Sequence, residues 1–65
     1  MTNKEKAVVV NKSIIQLIGA DKYINQLKEA EQSKEVYKDI IYAEQIIEEA
    51  VMLLYNLENQ YFQSQ

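Results

Sequence analysis

The chain has no cysteine, no histidine, no arginine, no tryptophan and no proline, and a single glycine. Each absence removes a class of explanation. Without cysteine there is no disulfide and no thiolate metal site. Without histidine the commonest metal ligand and the commonest general base are missing. Without arginine the bidentate phosphate and carboxylate clamp is missing. Without proline, and with only Gly19, little punctuates the backbone. What remains is 65 residues rich in Ile, Lys, Gln, Glu and Tyr, with a net charge of −3. All the basic residues are lysine, a bias expected of an AT-rich coding sequence and hence of a low-GC bacterium or its phage.

A chain this short is a single domain, and below about 70–80 residues one core rarely supplies more than about 3–5 kcal/mol. Disulfides and thiolate metal sites are excluded, so oligomerisation or very good helix packing must make up the difference. The apolar positions Val36, Ile40, Ala43, Ile47, Ala50, Leu54, Leu57 and Tyr61 follow one another in alternating steps of four and three. That spacing lines one face of a helix. It predicts a helix over about 34–62 whose seam serves self-association. Around Ala50-Val51-Met52-Leu53-Leu54-Tyr55 the helix is apolar on every side, which predicts more than one neighbouring helix.

The first half reads as a second helix over about 3–31. Thr2 and Glu5 have the spacing of a capping box. Ala7-Val8-Val9-Val10 has strand propensity, but no other segment offers a strand to pair with it. Val10, Ile14, Leu17, Ile18, Ile24 and Leu27 keep helical spacing. Gly19-Ala20-Asp21 is the fork: either a cap and a new start, or a glycine inside one continuous or kinked helix, and the second reading is preferred. The seven-residue rows of the two halves are out of phase by two residues. A turn near 31–34 resolves the mismatch, with Ser33 as the next N-cap. Two helices of matched length joined by a short connection give an all-α antiparallel helical hairpin. The hairpin is expected to self-associate, most simply as a homodimer forming a helical bundle.

Charge is divided between the halves. Residues 1–28 carry five Lys against Glu5 and Asp21, or +3; residues 29–65 carry Lys34 and Lys38 against eight acidic residues, or −6. Opposite halves attract, within the reach that salt leaves them. No segment approaches the ~18 consecutive apolar residues of a membrane span, and the apolar run after Lys4 and Lys6 is too short for a secretory signal. The expectation is a cytoplasmic protein with no membrane partner.

Chemistry is sparse. Glu44, Glu48 and Glu49 are read as a solvated face, so no catalytic, metal or cofactor residue is assigned and no enzyme is expected. The expected function is a small interaction protein, a regulator or inhibitor that masks a partner protein through the second helix. The contact candidates are Tyr37, Ile41, Tyr42, Met52 and Tyr55, since aromatic and Met side chains are enriched at such surfaces. The alternatives are a structural assembly subunit and a DNA-binding regulator. The latter would use a helix-turn-helix-like segment at 14–28, with Lys12, Lys22, Asn25 and Lys28 as contacts. Against DNA stand the sequence pI near 4.8 and the lack of arginine. The end, Glu58-Asn59-Gln60-Tyr61-Phe62-Gln63-Ser64, resembles the recognition sequence of potyviral proteases, Glu-x-x-Tyr-x-Gln before Ser or Gly. No function is assigned to it.

Overall fold

A computed structural model describes residues 1–63. Two helices, α1 (Asn3–Ala30) and α2 (Lys34–Gln63), pack along their length as an antiparallel hairpin measuring 49 × 15 × 13 Å. Ser64 of the protease-like sequence lies outside the described residues, and residues 58–63 form the last turns of α2.

Both N-termini are capped by side chains. The Thr2 hydroxyl accepts from the Glu5 backbone N–H at 3.1 Å, and the Glu5 carboxylate accepts from the Thr2 N–H at 3.1 Å. Two donors that a helix start leaves open are thereby satisfied. These hydrogen bonds favour the ionised form and hold the Glu5 carboxyl below its ordinary range. α1 ends where Glu31 turns extended, at φ −78° and ψ 128°. The Glu31 carboxylate accepts from the Ser33 N–H at 3.0 Å, and the Ser33 hydroxyl accepts from the Val36 N–H at 3.3 Å. Ser33 thus starts α2 while Glu31 ties the connection down.

Gly19 sits in the middle of α1 without breaking it. Its φ is not positive, and a Cβ built there meets nothing within 4 Å. Neither a turn nor a close helix approach requires glycine at this position. The valine run is helical as well: Ala7 and Val10 are buried, which outweighs the modest preference of β-branched residues for strands.

The rows that meet between the helices differ from those that apolarity alone predicts. In α1 the inward row is Ala7, Val10, Ile14, Leu17, Asp21, Ile24 and Lys28; in α2 it is Ile40, Glu44, Ile47, Val51, Leu54, Glu58 and Tyr61. Each advances by threes and fours. The α2 row is turned by about one-seventh of a revolution from the expected seam. Ile40, Ile47, Ala50, Leu54, Leu57 and Tyr61 stay wholly or partly covered, but Val36 and Ala43 are exposed. Glu44 takes the inward place instead of Ala43 because Lys28 of α1 reaches it: Lys28 Nζ lies 3.0 Å from Glu44 Oε1 and 3.2 Å from Oε2. Glu58 is turned inward similarly and accepts from Asn11 Nδ2 at 3.1 Å. Ile18 and Leu27, which belong to the apolar set of helical spacing in α1, are exposed.

The resulting core is thin. Only Ala7, Val10, Ile14 and Ile40 are fully buried among the described residues. A second neighbour for α2 was expected around residues 50–55, yet among the described residues α1 is the only element against it. Met52 and Leu53 are therefore 67% and 68% exposed.

Candidate protein-binding surface

Two helices lying side by side present two flanks, one on each side of the plane through their axes. Because the inward rows fix the rotation of each helix, sequence position decides which flank a residue joins. Val8, Ile15 and Ile18 of α1 lie on one flank with Met52, Tyr55 and Phe62 of α2, and all six are substantially exposed. Val9, Tyr23 and Leu27 lie on the other with Val36, Ile46 and Leu53, again all exposed.

The first flank is grooved. Leu17, Ile18 and Asp21 from α1 and Ile47, Glu48, Val51 and Met52 from α2 line a largely apolar groove of about 290 Å³. A second groove toward the chain termini runs between Ala7, Val8, Asn11 and Ile15 on α1 and Glu58 and Phe62 on α2. Asp21 is the unusual member. It occupies an inward position that elsewhere in α1 holds Ala7 and Ile14, and its Oδ1 is buried without a hydrogen-bond partner among the described residues. A buried carboxylate oxygen left unpaired is unfavourable. The next polar seam residue of the row, Lys28, has no such deficit. Its hydrogen bonds to Glu44 raise the ammonium pKa above the ordinary lysine value, with partial burial working against that shift.

The five contact candidates from the sequence do not form one patch. Met52 and Tyr55 share the grooved flank, and Ile41 joins them partly covered. Tyr42 points away from α1 on the back of α2, and Tyr37 lines a shallow depression at the turn with Glu31, Ser33 and Lys38. The residues of the grooved flank that sequence reasoning missed are Val8, Ile15 and Ile18 of α1. They sit one place round the helix from Ala7, Ile14 and Leu17, and the burial of Ala7, Val10 and Ile14 fixes that rotation.

The helix-turn-helix reading of residues 14–28 is not supported by the geometry, since α1 runs unbroken through Gly19. Its four contact candidates also diverge. Lys28 turns inward to Glu44 and Asn25 is partly covered, whereas Lys12 and Lys22 are exposed at different rotations about α1. Glu44, Glu48 and Glu49 do not form a solvated row, because Glu44 faces α1 while the other two are exposed. Among the described residues no group of three potential metal ligands comes together, and no helix is long and apolar enough to cross a membrane.

The class defined by this geometry is a two-helix hairpin with two apolar flanks and a thin core. No family model, no curated protein and no solved structure matches the chain.

Proposed function

We propose that this chain is a protein-binding hairpin that masks an amphipathic helix of a partner protein in the groove between Ile18 and Met52. The observation that carries the reading is Asp21, with a buried, unpartnered carboxylate oxygen in a largely apolar groove that it shares with Glu48. A helix laid into such a groove buries apolar residues at positions i, i+3, i+4 and i+7. One Lys, Arg or amide side chain on that helix supplies the hydrogen bond that Asp21 lacks, which converts an unfavourable group into a specificity contact. Met52, Tyr55 and Phe62 provide the large apolar contacts that dominate such interfaces. The function is regulatory or inhibitory: the hairpin covers a helix that the partner uses elsewhere. The lysine-only, cysteine-free composition fits the cytoplasm of a low-GC bacterium, or a phage growing in one.

The test begins with capture of partners from a low-GC bacterial lysate by the full chain. It continues with the same capture by two variants, Met52→Ala/Tyr55→Ala and Asp21→Ala. The expected result is one saturable protein partner, lost with both variants while circular dichroism shows unchanged helicity. Partner capture that survives both substitutions, or recovery that depends on nucleic acid and disappears with nuclease, overturns the reading.

A further inference from the structure

The flank opposite the groove carries a separate inference, which does not rest on the partner-binding reading. The chain exposes 5197 Å². A compact monomer of 7.6 kDa exposes about 4,300 Å², so the hairpin carries an excess of about 900 Å². A standard interface buries about 800 Å² on each partner. The excess is thus about what one partner copy covers.

The choice between the flanks follows from charge and shape. The two outer rows of the grooved flank include Lys4, Lys22, Glu29, Lys34, Lys38 and Glu48. The corresponding rows of the opposite flank hold only Lys6 and Asp39 as charged residues. Charged groups are depleted at the centre of protein interfaces because desolvating them is costly. Along the middle of this second flank run Ser13 and Ala20 of α1 and Ala43 and Ala50 of α2, with Val9, Ile46 and Leu53 standing up at the sides. Small residues between large ones let a helix from another molecule seat closely.

We propose that a second copy of this chain covers this flank, its long axis antiparallel to the first, so that two hairpins form a four-helix bundle about a two-fold axis at the level of Ala20 and Ala50. The placement of the axis is set by charge. The contacts Lys28–Glu44 and Asn11–Glu58 put Ala20 and Ala50 at roughly the same height along the hairpin. Lys6 lies fourteen residues from Ala20 toward the termini, or about 21 Å at the helical rise. Asp39 lies eleven residues from Ala50 toward the turn, or about 17 Å. A two-fold axis between them brings Lys6 of each copy to nearly the same height as the partner's Asp39, diagonally across the bundle. A parallel pairing would instead bring the two Lys6 to one height and the two Asp39 to another, like charge with like. Symmetry makes every such contact occur twice.

Sedimentation equilibrium of the full chain, from micromolar to several hundred micromolar, tests the inference. The expected species is a dimer at the upper concentrations. Leu53→Glu and Ile46→Glu each return it to a monomer with helicity retained, since both side chains are exposed in the single hairpin, whereas Met52→Glu on the grooved flank leaves the dimer intact. At low salt, Lys6→Glu and Asp39→Lys each weaken the dimer by about tenfold, and combining them restores the affinity to within about threefold. A monomer at every concentration overturns the proposal. So does an oligomer that survives both Leu53→Glu and Ile46→Glu, or one that Met52→Glu dissociates instead. Failure of the double charge reversal to restore affinity overturns the antiparallel arrangement. None of these outcomes depends on partner capture.

Discussion

Lys28 and Glu44 form an ion pair across the hairpin at 3.0 Å, in inward positions that a simple apolar seam would fill with leucine or isoleucine. Their burial is unequal: the Glu44 side chain is 13% exposed and that of Lys28 is 25% exposed. The difference matters because a lysine stem can lie along apolar surface with its ammonium in water, while a short carboxylate cannot follow. Lys28→Met should therefore destabilise the hairpin more than Glu44→Leu, and Lys28→Met/Glu44→Leu should be at least as stable as the native chain, as replacing buried pairs by apolar residues commonly is. Urea unfolding of the three variants decides it, and a larger loss from Glu44→Leu would contradict the asymmetry.

The same pair predicts a pH dependence. The Lys28 pKa is raised in the fold, chiefly by the Glu44 hydrogen bonds. A group whose folded pKa exceeds its unfolded one contributes stability that is fully present below the unfolded value and is lost as pH rises through the folded value. Melting temperature should therefore fall on the alkaline side, from about pH 10 upward, and fall more steeply for the native chain than for Lys28→Met. Comparing the two chains isolates the contribution of Lys28.

Adjacent isoleucines give the sharpest contrast in core energetics. Ile14 is 1% exposed and Ile15 is 60% exposed. Ile14→Ala removes atoms from a filled core and should cost about 2–5 kcal/mol, much of what a core of this size supplies. Ile15→Ala should stay within about 1 kcal/mol of the native chain. Thermal melts followed at 222 nm measure both, and equal losses would mean that the rotation of α1 described above is wrong.

The fold was largely legible in the sequence, and particular residues show why. Thr2 and Glu5 announce a helix start by chemistry that acts within one turn, and Ser33 does the same for α2. Such local signals do not depend on what the rest of the chain does. The phase slip between the two halves implied a turn even though the connection holds no Gly or Pro. The rotation of α2 was not legible. Counting apolar residues favours Ala43 over Glu44 and Leu57 over Glu58, and only the presence of Lys28 and Asn11 on the facing helix makes the two glutamates acceptable inside. That information is non-local. The candidate surface was read from α2 alone, so Met52 and Tyr55 were recognised while Ile15 and Ile18 of α1 beside them were not.

Gly19→Ala tests the continuity of α1 directly. The backbone at Gly19 is helical and a Cβ would meet nothing within 4 Å. Alanine should therefore stabilise the hairpin by about 1 kcal/mol, the ordinary difference in helix propensity, or about 4–8 °C in melting temperature for a domain of this size. A loss of stability would show that the position needs glycine for a kink or a close neighbour.

On the proposed reading, Asp21 couples stability to binding. Its inward position and its buried, unpartnered Oδ1 make it a residue that folding alone would not select. Asp21→Leu removes the unsatisfied oxygen and extends the apolar row between Leu17 and Ile24, so urea unfolding should show a gain of about 1–3 kcal/mol. Asp21→Asn keeps the shape and removes the charge, and should fall between the two. If Asp21 is held for recognition, the order must invert for binding: the leucine variant is the most stable of the three and the weakest binder, and the native chain is the least stable and the strongest. Stability and binding that rise together along the series would separate Asp21 from recognition. They would also shift the binding role to the apolar contacts of Ile18, Met52 and Tyr55 alone.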